Sequence, residues 1–347
     1  MAESGNFGSL GSLGPVLVAD IGGTKIAAGV AEPAGRLITW TQVPTPRDVD
    51  AEQLWRTLED LLLQVLEVAK VDDAAELSGL GCGCGGPMEW PAGRVSPLNI
   101  PAWRGFPLRE RLAARFGGGR LTVRVHNDAI CVAAGEHWRG AGRGSKNVLG
   151  MVVSTGVGGG LILDNRLIDG ASGNAGHIGH VVVYPDGPAC VCGGRGCVEA
   201  IARGPALVEW AQAAGWRPDQ PGVTAKELAA DAAQGHGVAR DALRRAGRAL
   251  GIAIASATSL CDLEVVAVGG GLSQAGALLL TQALRTTGLD RGLTAALGRA
   301  RRCPEAGVWT TLHGVGAQIA RSESGGDDNG RRAGQGNADR PVAGAER

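Results

Sequence analysis

The chain has 347 residues, of which 44% are hydrophobic and 20% charged, and its formal net charge is zero. This length is typical of two lobes, and a neutral chain has no general electrostatic attraction to nucleic acid or to an anionic membrane. No apolar run approaches the ~20 residues of a membrane span. Residues 1–14 are rich in Gly and Ser, lack the features of a signal peptide and are expected to be disordered. We therefore expect a cytoplasmic protein whose eight cysteines are reduced thiols or metal ligands.

The first predicted unit is a strand, a tight turn and further strands. Residues 16–20 are apolar and end in the carboxylate of Asp20, and β-like runs cover residues 26–30 and 36–43. Backbone N–H groups and a hydroxyl at one turn form a concavity that suits a phosphate. The spacing of a Walker loop is absent. The turn offers four candidate phosphate contacts: Gly22, Gly23, Thr24 and Lys25.

The segment from Gly81 to Gly86 matches the dinucleotide-binding pattern G-x-G-x-x-G. That pattern requires its last glycine to open a helix, whereas Pro-Met-Glu-Trp-Pro follows here. We therefore predict no dinucleotide site, and we expect Cys82 and Cys84 to pack as small apolar residues on a strand.

A β-rich segment at residues 123–128 ends in the pair Asn127-Asp128, and a helix-favouring run follows at residues 129–137. A carboxylate that ends a strand and opens a helix suits the general base of a two-lobed transferase. Helix N-capping explains the same pair equally well, because Asn and Asp are both good caps. The residues alone leave both interpretations open.

The strand–turn–strand unit is repeated later in the chain. Residues 148–154 are apolar and β-branched, a turn rich in Gly and Thr covers residues 155–160, and a strand continues over residues 161–164. One such turn is weak evidence. Two copies, about half a chain apart, predict duplicated lobes whose facing turns hold one polyphosphate.

Three thiols, Cys190, Cys192 and Cys197, lie within eight residues, and the pair His177 and His180 precedes them. Four-coordinate zinc needs N and S donors in a tetrahedron, and interleaved glycines let successive sulfurs turn toward one ion. Three cysteines with one histidine predict a closed structural zinc site, a zinc knuckle, in preference to three unrelated thiols.

A third glycine cluster follows a helical repeat over residues 239–260 and a buried strand over residues 263–268. We expect a helix after these glycines, and glycines between a strand and a helix let a ligand approach the backbone and meet a helix N-terminus. A nucleoside contact and a plain tight turn are both compatible with these residues, which are Gly269, Gly270 and Gly271.

Taken in chain order, these elements resemble the ROK family (repressors, open reading frames and sugar kinases) over about residues 16–320. The resemblance implies a two-lobed α/β fold of the actin-like, ribonuclease-H-like hexokinase type, with a structural zinc knuckle. The matching segments are Asp20-Ile-Gly-Gly-Thr-Lys25, Leu98-Asn99-Ile-Pro101, Asn127-Asp128, Thr155-Gly156-Val157-Gly158, Gly173-Asn-Ala-Gly176 with Gly179-His180, and C-x-C-G-x-x-G-C-x-E from Cys190 to Glu199.

The resemblance also implies an ATP-dependent hexose kinase, of glucokinase type, that phosphorylates the 6-hydroxyl of glucose. Asp128 would be the general base, and Asp20 would orient the Mg²⁺ shell. The implied phosphate contacts are Gly23, Thr24, Thr155 and Gly156. The implied sugar contacts are Asn99, Asn127, Glu199 and His180. The implied zinc ligands are His180, Cys190, Cys192 and Cys197.

One residue departs from the family pattern. The family's sugar-binding signature is E-x-G-H, and this chain has His177 where the glutamate stands. A neutral histidine has one acceptor nitrogen, and losing a charge-assisted hydrogen bond costs about 1.5–3 kcal/mol. We predict that His177 contacts the sugar and alters its choice, which leaves open another hexose, an N-acyl amino sugar, or a sugar-binding protein with impaired catalysis. Ser154, where the family often has glycine, is expected to be tolerated.

The expected organisation is a small α/β lobe at residues 15–126 and a large α/β lobe at residues 127–311 that carries the zinc knuckle at residues 177–199. A helix at residues 312–321 would return to the small lobe, and residues 322–347 would form a disordered tail. A family repressor would need a DNA-binding domain before the first phosphate turn, and only 15 residues precede Val16. The expected partners are therefore a sugar and ATP in a homodimer or higher homo-oligomer, with no nucleic acid and no membrane.

Overall fold

The protein is described here by a computed structural model, which covers residues 14–72, 74–118, 121–218, 220–274 and 277–287. Residues 1–13 of the predicted disordered N-terminus (residues 1–14), the predicted helix at residues 312–321 and the predicted disordered tail at residues 322–347 lie outside the described residues.

The described part of the chain contains eleven strands and eight α-helices. The strands are β1 (Val16–Ile21), β2 (Lys25–Ala31), β3 (Leu37–Pro44), β4 (Gly79–Cys84), β5 (Met88–Glu89), β6 (Arg94–Val95), β7 (Thr122–Asn127), β8 (Val148–Val153), β9 (Val157–Leu163), β10 (Arg166–Ile168) and β11 (Val265–Gly269). The helices are α1 (Ala51–Ala69), α2 (Leu108–Phe116), α3 (Asp128–Arg139), α4 (Val198–Ala202), α5 (Gly204–Ala213), α6 (Ala225–Ala233), α7 (Gly237–Cys261) and α8 (Ala277–Thr287). None of these helices combines the length and the apolar character that a bilayer crossing requires.

The strands form two main sheets with the same underlying pattern. The first sheet has the order β3-β2-β1-β4-β7 and the second has the order β10-β9-β8-β11. In each sheet an antiparallel hairpin, β1–β2 or β8–β9, is followed by a strand that pairs in parallel with the first hairpin strand, β4 or β11. The predicted repeat of a strand–turn–strand unit is therefore confirmed.

Each sheet has its own hydrophobic core, so the protein has two α/β lobes, called here the first and the second lobe. The core of the first lobe runs from Leu17 to Val125, and that of the second from Leu149 to Ala283. Helix α1 illustrates how the sequence builds them. Asp50 caps its N-terminus in a capping box, and its buried face carries Leu54, Leu58, Leu61 and Leu62. Each fully buried leucine contributes about 1.5–3 kcal/mol relative to an exposed one.

Helix α3 follows β7 and packs on the second sheet so closely that the sheet residues facing it must be glycine. A Cβ atom at Gly150 would lie 2.4 Å from the Cα of Ala133, and one at Gly160 would lie 2.9 Å from the Cα of Ile130. A Cβ atom at Gly158 would lie 2.6 Å from the Cβ of Ala129. Because no side chain separates α3 from the sheet, the N-terminus of α3 is held against the β8–β9 hairpin.

Two predictions about glycine segments can be compared with the fold. Residues 79–84 form β4, and the next regular element is the short strand β5, so the segment from Gly81 to Gly86 opens no helix, as predicted. Cys82 and Cys84 are fully buried on that strand. After β11 the chain makes a 3-10 turn at Gly271–Gln274, and α8 begins only at Ala277. The third glycine cluster therefore does not lead directly into an α-helix.

Candidate active site

The first Gly/Thr turn lies between β1 and β2 and is closed by its own backbone. The N–H of Gly22 donates to the carbonyl of Lys25 at 3.0 Å. The hydroxyl of Thr45 donates to the carbonyl of Gly22 at 2.6 Å, and the N–H of Thr45 donates to the carbonyl of Thr24 at 3.0 Å. The side chains of Thr24 and Lys25 are exposed at this turn. Sequence reasoning did not identify Thr45, since it follows β3 and carries no local signal of its contact with Gly22.

Asn99 lies directly against this turn although the two are far apart in sequence. A Cβ atom at Gly23 would lie 2.4 Å from Nδ2 of Asn99, and one at Gly85 would lie 3.8 Å from Oδ1 of Asn99. A side chain at position 23 would therefore displace Asn99. The structure brings together a candidate phosphate contact and a candidate sugar contact.

The pair Asn127-Asp128 forms the start of α3, and both side chains take part in its hydrogen bonding. Asn127 is the N-cap residue, and its Oδ1 accepts a hydrogen bond from the N–H of Ala129 at 3.0 Å. Asp128 is the first helical residue, and its Oδ1 accepts from the same N–H at 2.8 Å. Both side chains therefore accept the first free N–H of α3, and Asp128 is half-buried at the start of the helix.

The charge of Asp20, at the end of β1, is influenced by Asp128. Burial and the charge of Asp128 together raise the pKa of Asp20 to about 8, against the opposing charge of Lys25. Burial also raises the pKa of Asp128, against the N–H of Ala129, which stabilises the ionised form. Two carboxylates that share a poorly solvated site favour a proton or a cation there.

The second Gly/Thr turn joins β8 to β9 and contacts Glu199. The N–H of Ser154 donates to the carbonyl of Gly156 at 2.8 Å, and Oε2 of Glu199 accepts from the N–H of Val157 at 3.3 Å. A Cβ atom at Gly156 would lie 3.7 Å from the same carboxylate oxygen. Thr155 is exposed at the tip of the turn. Glu199, a predicted sugar contact, is thus fixed beside a predicted phosphate turn.

The third glycine cluster lies next to the second turn. Gly270 has φ +92°, and a Cβ atom there would lie 2.4 Å from the carbonyl oxygen of Val153. A Cβ atom at Gly271 would lie 3.7 Å from Oγ of Ser154, and one at Gly269 would lie 3.7 Å from the carbonyl oxygen of Met151. The two glycine-rich segments of the second lobe therefore form one continuous backbone surface at the ends of β8 and β11.

The predicted zinc ligands converge. One nitrogen of His180 and the Sγ atoms of Cys190, Cys192 and Cys197 all lie within 4.8 Å of one another. Nδ1 of His180 is 3.8 Å from Sγ of Cys190, and Sγ of Cys192 is 3.7 Å from Sγ of Cys197. A zinc tetrahedron with ~2.3 Å Zn–S bonds has S···S edges of about 3.8 Å. The four donors therefore have the spacing and the chemistry that suit a zinc ion.

The thiols of this cluster differ in how readily they ionise. The backbone N–H of Gly194 lowers the pKa of Cys192, whereas burial raises the pKa of Cys197 to about 12. Cys192 is exposed and Cys197 is buried. A metal ion would be needed to hold all three sulfurs as thiolates.

His177 lies outside this donor cluster. It precedes the 3-10 turn Ile178–His180, and its ring centroid is 6.4 Å from that of His180. Its Nε2 is buried without a hydrogen-bond partner in the described residues. Burial lowers the pKa of His177, and the charges of His180 and His126 lower it further, so the ring is neutral near pH 7. A buried unpartnered nitrogen is a position that a ligand group can satisfy.

Two lobes with matching hairpins, each presenting a Gly/Thr turn beside an acidic side chain, define the actin-like class of phosphate-binding folds. The ROK family model matches residues 16–296, and the chain belongs to the ROK family. This confirms the resemblance found in the sequence.

Individual relatives agree with this assignment. The chain is 37% identical over 281 residues to a glucokinase from Streptomyces coelicolor, which covers 77% of this chain and 85% of the relative. It is 36% identical over 270 residues to an N-acetylmannosamine kinase from Yersinia pestis, and the match covers 76% of this chain and 85% of the relative.

Solved structures show the same fold. The ROK hexokinase from Thermus thermophilus is 34% identical with a TM-score of 0.75, covering 88% of this chain and 99% of the other. The ROK glucokinase from Streptomyces griseus, in complex with glucose and AMPPNP, is 33% identical with a TM-score of 0.67. The match covers 86% of this chain and 98% of the other.

Proposed function

We propose that the chain transfers the γ-phosphoryl group of ATP to the 6-hydroxyl of a hexose, with glucose as the first substrate to test. The enzyme is an ATP-dependent sugar kinase. The observation that carries the proposal is the position of Asp128, whose carboxylate couples electrically to Asp20 at the first turn. Its neighbour Ala129 contacts Gly158, three residues after Thr155 of the second turn.

In this proposal Asp128 accepts the proton of the sugar hydroxyl as that oxygen attacks the γ-phosphorus. Its carboxylate is the acceptor, and the raised pKa brings the base closer to neutral pH, where proton transfer is most effective. Positioning and electrostatic stabilisation supply most of the remaining rate in phosphoryl transfer. The nucleotide would contact the backbone of Gly22, Gly23 and Gly156. It would also contact the side chains of Thr24, Lys25 and Thr155, with the nucleoside near Gly269, Gly270 and Gly271.

The acidic pair also suits Mg²⁺. Asp20 would orient the hydrated ion, which neutralises charge on the transferred phosphoryl group when it is bound. The observation behind this assignment is the pKa of Asp20, which burial and the charge of Asp128 raise, because a cation stabilises two carboxylates in one poorly solvated site.

The zinc cluster would shape the sugar pocket without entering the chemistry. Cys197 is the N-cap residue of α4, and Glu199 is the second residue of that helix. His180 is both a candidate zinc ligand and a candidate sugar contact, so one ion would fix two of the four sugar-binding side chains. Asn99 and Asn127 would complete the pocket from the first lobe.

The raised pKa of Asp128 gives the activity a pH dependence with a defined sign. The base works only when ionised, so kcat/KM for the sugar should fall as pH decreases through the pKa of Asp128. Because burial raises that pKa, the fall should begin above the ordinary range of aspartate, about 3.9. A pH profile of kcat/KM, with thermal unfolding recorded at each pH, tests this. An acidic limb centred at or below about 3.9 would contradict it.

A second substrate class, the N-acyl hexosamines, is favoured by His177. The neutral imidazole offers one donor and one acceptor in place of a charged glutamate, and its Nε2 has no protein partner. The similarity to an N-acetylmannosamine kinase agrees with such a substrate. An amide-bearing sugar and a neutral ring form hydrogen bonds without the cost of burying a charge.

His177→Glu distinguishes the two substrate classes. Restoring a carboxylate should strengthen hydrogen bonds to hydroxyls near the anomeric carbon, so the ratio of kcat/KM for glucose to that for N-acetylmannosamine should rise about tenfold or more. The measurement is a coupled ADP-release assay on both sugars. Zinc content and thermal unfolding serve as controls, since His177 lies three residues from His180. An unchanged ratio would remove His177 from substrate choice.

A further inference from the structure

Three side chains join the two lobes beside Asp128 and have no part in the function proposed above. His126, on β7, is 2% exposed and comes two residues before Asp128. Its Nε2 lies 2.9 Å from Oδ1 of Asp169, which follows β10 in the second lobe. The indole of Trp90, which follows β5, covers the imidazole with 4.4 Å between ring centroids. A buried imidazole is thus held by contacts from both lobes.

The hydrogen bonds of His126 determine which nitrogen carries the proton. The backbone N–H of Asn127 donates to Nδ1 of His126 at 2.7 Å. A nitrogen that accepts a hydrogen bond carries no proton, so the ring proton is on Nε2 and is donated to Asp169. The imidazole therefore links the backbone immediately before Asp128 to a carboxylate of the second lobe.

Asp169 begins the segment that leads to the sugar-binding histidines. Its carbonyl accepts a hydrogen bond from the N–H of Ala175 at 3.2 Å, so residues 169–175 form a closed loop. Within this loop Gly173 has φ +75°, and a Cβ atom there would lie 2.7 Å from the Cβ of Trp90. Two residues of the first lobe thus contact this loop: His126 contacts Asp169, and Trp90 lies against Gly173.

We propose that His126 is a positioning residue that couples the segment of residues 169–177, which contains this loop, to the strand end carrying Asn127 and Asp128. The inference rests on the proposed sugar kinase function, because that segment ends at His177. The coupling sets the distance between the sugar and its general base. An enzyme of this kind needs reacting groups aligned within a fraction of an ångström, and misplacement by about 1 Å is enough to cost up to 10²-fold in rate.

The test compares two substitutions at Asp169 with a matched control. Asp169→Ala removes the acceptor for His126, and we expect the KM of the sugar to rise about tenfold while the KM of ATP stays within about twofold. Asp169→Asn keeps an acceptor oxygen of the same shape, and we expect it to restore the sugar KM to within about threefold of the wild type.

The control is Asp231→Ala, which removes another carboxylate that accepts from a buried ring N–H. Nε1 of Trp216, which is fully buried, donates to Oδ2 of Asp231 at 2.8 Å. This variant should lose a similar amount of thermal stability and leave the sugar KM unchanged. If Asp169→Ala lowers stability as Asp231→Ala does and leaves the sugar KM unchanged, the coupling role is wrong and the contact is only structural.

Two variants of His126 separate its hydrogen bond to Asp169 from the one that it accepts from the backbone of Asn127. His126→Gln keeps a donor near the position of Nε2, and His126→Asn keeps an acceptor near the position of Nδ1. We expect His126→Asn to raise the sugar KM as Asp169→Ala does, and the double variant with Asp169→Ala to be no worse than either single variant. Additive effects would overturn the proposal.

Amide hydrogen exchange gives a readout that does not depend on turnover. Peptides covering residues 169–177 should exchange faster in Asp169→Ala than in the wild type or in Asp231→Ala. Faster exchange in a protein that phosphorylates no sugar would support the coupling and reject the proposed function. Unchanged exchange in a protein that is an active sugar kinase would reject the coupling and leave the proposed function standing.

Discussion

Asp128→Asn is expected to lower kcat by about 10²–10⁴-fold, because the amide cannot accept the proton of the sugar hydroxyl. The fold should be preserved, since an asparagine Oδ1 can still accept the N–H of Ala129 and the side-chain volume is unchanged. Sugar affinity, measured by calorimetry without ATP, should stay within a few-fold of the wild type. The loss therefore belongs to the chemical step and not to binding.

The matched control for this experiment is Asp60→Asn. Asp60 is exposed on α1, far in the sequence from every candidate site residue, and the substitution removes the same charge. It should leave kcat and KM within about twofold, as surface substitutions usually do. Near-normal turnover by Asp128→Asn would remove Asp128 from the proposed mechanism and require another base.

The second large effect is expected from Cys197→Ser. Cys197 is 1% exposed and belongs to the four-donor cluster. Losing one sulfur should release zinc and lower the unfolding temperature by on the order of 10 °C, because metal binding energy is part of the folding free energy. The KM of the sugar should rise more than that of ATP, since α4 carries Glu199 and begins at Cys197.

Cys261→Ser provides the control for the thiol chemistry. Cys261 is half-buried at the end of α7 and is not among the converging donors. This variant should keep its zinc and its unfolding temperature. Metal analysis by mass spectrometry, on protein prepared with zinc present, decides the question. Wild-type protein without bound zinc would show that the four donors serve another purpose.

Features that depend on adjacent residues could be predicted from the sequence. The turn at Gly22–Thr24 and the cysteine cluster are examples, because backbone geometry and donor chemistry are set within ten residues. The repeat of β1–β2 in β8–β9 was also accessible, since strand and turn signals are local. The resemblance to the ROK family added roles to these positions but required the same residues to be present.

Contacts between distant segments could not be predicted in this way. His126 and Asp169 are 43 residues apart, and Trp90 contacts His126 of the first lobe and lies against Gly173 of the second. Thr45 contacts Gly22 through the pairing of β2 with β3. Such pairs depend on strand order and on the relative placement of two sheets, which no short pattern encodes. The hydrogen bonds from the N–H of Ala129 to Asn127 and Asp128 likewise depend on the geometry of the helix start, which the sequence does not give.

The close approach of α3 to the second sheet has a consequence for engineering this enzyme. Gly150, Gly158 and Gly160 contact the helix whose first residue is Asp128, so a methyl group at any of them would push α3 away from the second sheet and shift that carboxylate. Mutant libraries that seek new substrates should therefore keep these three positions constant. Diversity is better placed at exposed positions beside the candidate site, such as Leu98, whose side chain is 63% exposed.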